Sequence, residues 1–403
     1  MGVALHFQKG PVMNNTPIYT LRQLCLYFLK LGATGFGGPV ALVGYMHQDL
    51  VERRKWMTEE EYKEGLALAQ LAPGPLAAQL SIYLGFVHYR YRGAAIAGIA
   101  FVLPSFLMVV LLGMAYRLFG GMPWMRAVFY GVGAAVTGII AVSCYKLTIR
   151  SISRLKPAQI RQHWMLWTAY LTGLIMTVIS RSEPLWWLVG AGLIYMFVKA
   201  PPRWLRTTGS SAPSLFLLGA GFWDFTPGAL EKIGWFFFKA GAFVFGSGLA
   251  IVPFLHGGVV EGYHWLSETE FLDAVAVAMI TPGPVVITVG FIGYLVAGFP
   301  GAVVAALATF LPCYLFTVIP APHFKRIAGN TSIKAFVDGI TAAVIGSLTG
   351  AVVIMALRSV YDWPTGLLAI ASCLTLIYSK KLKEPYIILI AATAGFILKM
   401  IVH

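Results

Sequence analysis

Long apolar segments recur along the whole chain of 403 residues, separated by short polar stretches. Runs of roughly 15 to 25 apolar residues are the signature of helices that cross a bilayer, because about 20 residues span its hydrocarbon core. Twelve such segments lie near residues 24–46, 64–87, 94–116, 127–146, 164–180, 184–199, 233–255, 271–297, 300–320, 335–357, 365–379 and 385–402. The pattern therefore predicts an all-α polytopic membrane protein.

Composition and charge agree with this pattern. Hydrophobic residues make up 58% of the chain and charged residues 11%, whereas soluble domains carry about 25% charged residues. The formal net charge of +14 is typical of a membrane protein whose cytoplasmic loops face anionic lipid, so we expect a lipid bilayer and no nucleic acid as its surroundings. The cysteines Cys25, Cys144, Cys313 and Cys373 lie in or beside apolar segments. We interpret them as small core residues.

The order of the segments divides the chain into two sets of six. Residues 1–23 form an N-terminal tail without the features of a cleavable signal peptide. Residues 24–199 hold the first set, residues 200–232 form a linker rich in Pro, Gly, Ser and Arg, and residues 233–403 hold the second set. The linker contains one further apolar run, Leu215 to Phe225, which is a marginal candidate for an extra span.

The second set repeats the first. A shift of 209 places residues 30–75 on residues 239–284 without a gap, and beyond a single deletion the shift becomes 208. The matched residues include Lys30 with Lys239, His47 with His256, Trp56 with Trp265, Pro73-Gly74-Pro75 with Pro282-Gly283-Pro284, Gly131 with Gly339 and Gly138 with Gly346. Unrelated apolar helices would not match Trp, His and Pro-Gly-Pro in one register, and internal repeats are common in transporters.

Basic residues in the loops indicate that the two repeats are inverted. The loop after the fourth segment carries Lys146, Arg150, Arg154, Lys156 and Arg161, whereas the equivalent loop after the tenth carries only Arg358. Because basic loops stay in the cytoplasm, equivalent loops are predicted on opposite faces. Six crossings per repeat would leave the repeats parallel, so inversion needs one extra crossing, for which Leu215 to Phe225 is the candidate. The count is therefore about 12 to 13 spans, with a re-entrant segment as the competing explanation.

Glycine and proline interrupt the first two segments of each repeat. Residues 32–39 and 241–248 are glycine-rich, and the next segment in each repeat contains Pro-Gly-Pro. Irregular backbone within a membrane is tolerated where it lines a cavity, and a half-helix that begins there offers unpaired amides to an anion. We therefore predict an oxyanion site formed by Gly37, Gly38, Pro39, Pro73, Gly74, Pro75, Gly246, Ser247, Gly248, Pro282, Gly283 and Pro284. Close packing of helices is the alternative role for such small residues.

Charged residues within the segments are further candidates, since intramembrane charge is costly and usually functional. Lys30 and Lys239 precede the glycine-rich breaks by about two turns and could supply positive charge; snorkelling to the interface is the alternative. Glu64 and Asp273 begin the Pro-Gly-Pro segments and are candidates for gating or proton coupling, or for plain interfacial solvation. His47 and His256 are predicted at the interface, and Thr58 and Ser267 are predicted to cap helices.

The sequence contains no HExxH, G-x-S-x-G or nucleotide-binding loop. An enzyme is therefore not expected, and neither a cofactor nor a metal is predicted. A passive anion channel and, more distantly, an enzyme acting on lipid phosphate are the alternatives to a transporter. A channel would not need two interrupted repeats.

The paired motifs resemble a known family. FLKLGATGFGGPVA at Phe28 to Ala41 and LAQLAPGPLA at Leu68 to Ala77, repeated as FFKAGAFVFGSGLA and VAMITPGPVV, are similar to the signature regions of the chromate ion transporter family. The tandem arrangement resembles its long, two-domain members and covers nearly the whole chain. The second repeat has Ser247-Gly248 where the first has Gly38-Pro39, which suggests that the two repeats are not equivalent at the site.

The resemblance implies a multi-pass plasma-membrane protein that exports chromate and confers chromate resistance, with sulfate as a competing analogue. Moving one charge across a membrane is worth about 2.3 kcal/mol per 100 mV, so expelling the chromate dianion from a negative interior gains about 4.6 kcal/mol. Proton-coupled transport of sulfate or another tetrahedral oxyanion is the alternative function. The specific oxyanion, the coupling ion and the formation of a homodimer stay open.

Overall fold

A computed structural model describes residues 18–36, 38–119, 122–152, 157–180, 185–201, 228–243, 248, 251–324, 330–360, 362–378 and 384–402. These residues are almost entirely helical and contain no β-strand, which confirms the predicted all-α class. Most of the N-terminal tail and of the linker, including the run Leu215 to Phe225, lies outside the described residues.

The described residues of the first repeat form eight α-helices. They are α1 (Leu21–Thr34), α2 (Gly38–Met46, which continues as a π-helix over His47–Arg53), α3 (Glu59–Leu71), α4 (Leu76–Phe119), α5 (Pro123–Ser151), α6 (Pro157–Gln162), α7 (Trp164–Ser180) and α8 (Leu185–Lys199). The predicted caps of α3 and its counterpart are confirmed, because Thr58 and Ser267 each form a capping box with the glutamate three residues later.

The second repeat follows the same order, except that its described residues include no counterpart of the short helix α6. Its helices are α9 (Ala229–Ala242), α10 (Ile251–His256, continued as a π-helix over Gly257–Gly262), α11 (Glu268–Ile280), α12 (Thr288–Val318, preceded by a 3-10 turn at Val285–Ile287), α13 (Thr331–Ser359), α14 (Trp363–Tyr378) and α15 (Glu384–Val402). Within the part of the chain that the structure describes, four helical stretches are long and apolar enough to cross a membrane, namely residues 76–119, 127–151, 285–323 and 331–357. Shorter apolar helices occur at 164–179, 186–199 and 363–378.

The interrupted segments fold back on themselves as helical hairpins instead of continuing across the bundle after the break. In the first, the Tyr27 hydroxyl donates to the Tyr45 carbonyl at 3.5 Å, and the rings of Tyr19 and Trp56 stack 4.7 Å apart. These residues flank the glycine-rich break at similar distances along the chain, so α1 and α2 must run antiparallel. The predicted segment 24–46 is therefore a hairpin whose tip is the break.

The Pro-Gly-Pro segment is a second hairpin. The Tyr83 hydroxyl donates to Glu64 Oε2 at 3.4 Å, and His88 Nε2 lies 3.5 Å from Glu61 Oε1. These contacts join α3 to the first leg of α4 and place Pro73-Gly74-Pro75 at the tip. The predicted segment 64–87 thus enters and leaves at one end of the bundle, which is the re-entrant course that the sequence left as an alternative.

The long helices α4 and α12 each contain a sharp turn. The backbone has φ 51° at Arg90 and 65° at Gly298, positions that are equivalent in the repeat. At each turn two glycines touch, Gly85 with Gly93 and Gly293 with Gly301, so closely that neither site could hold a Cβ. We therefore divide α4 into α4a (residues 76–89) and α4b (91–119), and α12 into α12a (288–296) and α12b (299–318).

Helices α4b and α12b lie side by side and run antiparallel. The Tyr314 hydroxyl, near the end of α12b, donates to the Tyr91 carbonyl at the start of α4b at 3.2 Å. At the other end, the Arg117 guanidinium lies 5.9 Å from the centre of the Tyr294 ring. We refer to these as the Tyr91 end and the Arg117 end. The hairpins of the first repeat have their bases at the Tyr91 end, and α12a of the second repeat has its base at the Arg117 end.

The outer helices of the two repeats are interleaved. Gly131 and Gly138 on α5 lie against the backbones of α15 and α14, at Ala391 and Ala369. Their repeat counterparts Gly339 and Gly346 on α13 lie against the backbones of α8 and α7. Each repeat therefore packs its second long helix between the last two helices of the other repeat, and small residues permit this close approach.

Candidate functional site

The hairpin tips of the two repeats meet inside the bundle. The Gly283 amide of the second Pro-Gly-Pro turn donates to the Gly35 carbonyl at the end of α1 at 2.9 Å. Beside them, Ser105 on α4b donates its hydroxyl hydrogen to the Gly32 carbonyl at 3.3 Å. Two interrupted segments that are far apart in the chain thus form one structural unit together with the middle of α4b.

Glycine is required at the Pro-Gly-Pro turns because of their backbone. Gly74 has φ 143° and Gly283 has φ 96°, conformations that residues with a Cβ rarely adopt. A Cβ on Gly283 would also collide with Ser105 Oγ. The flanking prolines lack an amide hydrogen and end the preceding helices α3 and α11. The two turns are therefore built by local sequence and then held by specific neighbours.

The first turn is held by Gln79, which is not among the residues predicted from the sequence. Gln79 is completely buried in α4a, and its Nε2 donates to the Pro73 carbonyl at 2.7 Å. Its Oε1 is buried and has no hydrogen-bond partner among the described residues. The repeat counterpart is Thr288, whose hydroxyl donates to the Val285 carbonyl. A carboxamide inside an apolar run directly after Pro-Gly-Pro was the available signal for this position.

Other predicted binding residues lie near these tips. Gly38 and Pro39 begin α2, directly after the first break. Gly248 lies beside Val286, immediately after the second Pro-Gly-Pro turn, with van der Waals spacing for an added Cβ. Gly37, Gly246 and Ser247 fall outside the described residues. Unpaired amides were predicted at the breaks, but the Gly283 amide already donates to the Gly35 carbonyl.

Neither Lys30 nor Lys239 makes a contact in the structure with the described residues of the hairpin tips. Lys30 is exposed, on the side of α1 opposite its buried residues Leu24, Phe28 and Leu31. The Lys239 ammonium lies 5.7 Å from the centre of the Trp235 ring, which is 61% exposed. A role for either lysine in oxyanion binding stays a prediction.

The paired carboxylates differ in their surroundings. Asp273 on α11 is only 6% exposed and accepts a hydrogen bond of 2.7 Å from Tyr116 on α4b. Its counterpart Glu64 is partly buried and accepts from Tyr83 of its own hairpin. The Tyr116–Asp273 bond therefore connects the two repeats, whereas the Glu64 contact stays within one repeat.

Histidine–glutamate pairs join the two hairpins of each repeat at their bases. His47 Nε2 lies 2.8 Å from Glu59 Oε2, and His256 Nε2 lies 2.8 Å from Glu268 Oε2. The hydrogen bond from His47, followed by that from Lys63, holds the pKa of Glu59 below its usual value. His256 is only 2% exposed, whereas the His47 side chain is 31% exposed; the location of both histidines at the membrane interface stays a prediction.

These features define an all-helical membrane protein with two related repeats whose interrupted segments meet, which is the general construction of a secondary transporter. The family model for the chromate transporter matches residues 22–196 and 231–396, once in each repeat. The chain therefore belongs to the chromate transporter family, as its motifs suggested.

Individual relatives agree with this assignment. The chain is 60% identical to a chromate transport protein of Cupriavidus metallidurans over 398 residues, covering 97% of the chain and 96% of the relative. It is 58% identical to a probable chromate transport protein of Synechococcus elongatus over 388 residues, covering 94% and 96%. A chromate transport protein of Pseudomonas aeruginosa is 28% identical over 399 residues, covering 94% and 93%. No solved structure matches the chain.

Proposed function

We propose that this protein exports chromate from the cytoplasm across the plasma membrane by alternating access and thereby confers chromate resistance. The observation that carries the proposal is the bond between Gly283 and Gly35, because it joins interrupted segments of both repeats at one point. A binding site shared by two repeats can be exposed to either side as the repeats move against each other. One chain contains both sets of tips, so a homodimer is not required for a complete site.

The proposed topology is inverted, with the Tyr91 end in the cytoplasm. The antiparallel course of α4b and α12b supports the inversion. Basic residues support the orientation: the hairpin bases of the first repeat carry Arg53, Arg54, Lys55, Lys63, Arg90 and Arg92, and the equivalent positions hold Gly262, Tyr263, His264, Leu272, Gly298 and Pro300. Such an excess of Lys and Arg marks the cytoplasmic face.

Radiolabelled chromate flux into everted membrane vesicles tests the proposal directly. Uptake should depend on this protein and should rise with an inside-positive potential, because outward movement of an anion from the cell becomes inward movement in everted vesicles. Vesicles that hold normal amounts of the protein but take up no chromate at either of two clamped potentials would contradict the function.

Proton-coupled sulfate transport is the second candidate, and the buried Asp273 favours it. A carboxylate that is 6% exposed and bonded to Tyr116 of the other repeat is a suitable carrier of a coupling proton. This function predicts sulfate movement that follows a pH gradient at a fixed potential. Chromate movement that follows potential alone would exclude it.

A further inference from the structure

The tyrosine that contacts the paired carboxylate comes from a different element in each repeat. Asp273 on α11 accepts a hydrogen bond of 2.7 Å from Tyr116 on α4b, a helix of the other repeat. Glu64 on α3 accepts one of 3.4 Å from Tyr83 on α4a, which belongs to the same hairpin. The hairpin of α11 and α12a is therefore bonded to its neighbour, whereas the corresponding bond of the first repeat lies within one hairpin.

The repeat alignment shows that tyrosine and phenylalanine have exchanged places around these carboxylates. Tyr83 and Phe291 are equivalent, because each lies two residues before the first of the touching glycines at the sharp turn. A shift of 208 places Tyr116 on Phe324. The Tyr116 and Phe291 rings lie 5.6 Å apart. The second repeat thus has its hydroxyl on the crossing helix and its plain ring on the hairpin, and the first repeat has the reverse.

The hairpin of α11 and α12a lies along one face of α4b from its tip to its base. The contacts on α4b occur at positions 105, 109, 113 and 116, whose spacing of three or four residues keeps them on one side of a helix. From tip to base the pairs are Ser105 with Gly283, Val109 with Gly290, Gly113 with Tyr294 and Tyr116 with Asp273. Movement of the hairpin away from α4b breaks these contacts and exposes this face of the helix.

The bond at the base is the directional part of this interface. Tyr116 is packed between the hairpin and α5, with its ring 5.6 Å from the rings of both Phe291 and Phe129. Apolar contacts tolerate small displacements, whereas a hydrogen bond weakens steeply once its geometry is lost. A buried acceptor that loses its donor also carries a desolvation penalty. Asp273 therefore resists separation of the hairpin from α4b until water or another donor reaches its carboxylate.

We propose that the Tyr116–Asp273 bond is the latch of an outer gate, which holds the hairpin of α11 and α12a against α4b while the outer face is closed. The inference rests on the proposed function, in which the Arg117 end lies outside, and it adds the contact that breaks when the transporter opens outward. In the first repeat the Tyr83–Glu64 bond moves with its hairpin, so that opening at the cytoplasmic face does not break it.

A cysteine in place of Val109 reports the opening of this gate. Val109 is fully buried in the face of α4b that the hairpin covers. The full-length Val109→Cys chain in right-side-out vesicles is treated with a charged, membrane-impermeant thiol reagent. Its labelling rate follows the open fraction, because a buried thiol reacts only when the interface separates. Each substitution below is also made without this reporter, so that labelling of the native cysteines, of which Cys144 and Cys313 are buried, is measured and subtracted.

Tyr116→Phe removes the hydroxyl and keeps the ring. It should raise the labelling rate of the reporter several-fold, up to about 10-fold, as expected for the loss of one hydrogen bond. Tyr83→Phe is the matched control, because it removes the equivalent hydroxyl within the first hairpin, and it should leave the rate unchanged. Equal rates in Tyr116→Phe and its parent, or equal increases in both variants, would overturn the latch. An increase seen in everted vesicles alone would overturn its placement at the outer gate.

A double-mutant cycle tests the bond itself. Asp273→Leu removes the acceptor at similar volume and should raise the labelling rate as Tyr116→Phe does, while the double variant should add little to either change. Effects that multiply would show that the two residues act independently, and would contradict the latch. Asp273→Asn retains an acceptor oxygen and should label more slowly than Asp273→Leu, which separates the latch from a proton carried by Asp273. Equal rates in these two variants would count against the latch.

Chromate flux in wild-type everted vesicles is measured in parallel. Chromate flux together with labelling that Tyr116→Phe does not change overturns the latch and leaves the proposed function intact. Labelling that rises with Tyr116→Phe in the absence of chromate flux supports the latch and overturns the proposed export.

Discussion

Replacing Gly283 by alanine tests whether the meeting point of the tips is essential for transport. The residue has φ 96°, its amide donates to Gly35, and an added Cβ would collide with Ser105 Oγ. A left-handed backbone costs a residue with a Cβ about 1–2 kcal/mol. Overpacking a filled site typically costs about 1–3 kcal/mol more. The total of about 2–5 kcal/mol exceeds the net value of one hydrogen bond, about 0.5–1.5 kcal/mol.

The turn in Gly283→Ala should therefore shift and break its bond to Gly35. We expect chromate flux in everted vesicles to fall at least about 10-fold, the effect of losing about 1.4 kcal/mol at a site used in every cycle. Protein abundance is measured by immunoblot, and folding by the thermal stability of the detergent-solubilised protein.

Gly298→Ala is the matched control. Gly298 has φ 65°, yet an added Cβ would meet nothing within 4 Å, and its repeat counterpart Arg90 already adopts a positive φ. This variant carries the backbone strain of about 1–2 kcal/mol without the collision. Its flux should stay within about twofold of wild type, since no transport contact is lost. Equal loss of flux in both variants, or normal flux in Gly283→Ala, would refute the reasoning.

Three further substitutions examine separate parts of the site. Gln79→Leu removes the bond to Pro73 and should lower flux several-fold, because the first turn loses its side-chain support; unchanged flux at normal abundance would contradict this. Asp273→Asn should abolish pH-dependent sulfate movement if a proton is coupled there, while potential-driven chromate flux persists; retained pH dependence argues against that role. Lys30→Glu should abolish chromate resistance without loss of protein from the membrane, with Arg22→Glu on the same helix as control, and normal resistance would remove Lys30 from the site.

The repeat register was predictable from sequence because Trp, His and Pro-Gly-Pro match between the two repeats in one register. Gly131 and Gly138 align with Gly339 and Gly346, and in the structure each pair occupies equivalent helix contacts. These glycines can be aligned between the repeats without knowledge of the fold, because closely packed helices require small residues at fixed positions.

The hairpin course could not be predicted from the breaks alone. Glycine and proline show where a helix ends, but not the direction that the chain takes afterwards. That direction depends on contacts between the legs, such as Tyr27 with Tyr45 and Tyr83 with Glu64. Aromatic residues at similar distances on both sides of the first break, Tyr27 with Tyr45 and Tyr19 with Trp56, were a local indication of this course.

For the candidate binding residues, too, the sequence predicted positions along the chain but not the contacts between repeats. Sequence pattern located the tips, and the structure brings Gly35 and Gly283 together. The sequence pattern could not reveal that this contact occupies the Gly283 amide, because the Gly35 carbonyl that accepts from it lies in the other repeat. Gln79 was missed since a single glutamine in an apolar run carries no repeat signal; its counterpart is Thr288.

The interleaving of the outer helices has a consequence for biogenesis. Helix α5 packs against α14 and α15, which are synthesised long after it. Until residues 363–402 leave the ribosome, the glycine face of α5 has no partner and is open to lipid or to chaperones. A nascent chain that stops before α14 would therefore leave this face of α5 exposed, so the first repeat is fully packed only after α14 and α15 have been made.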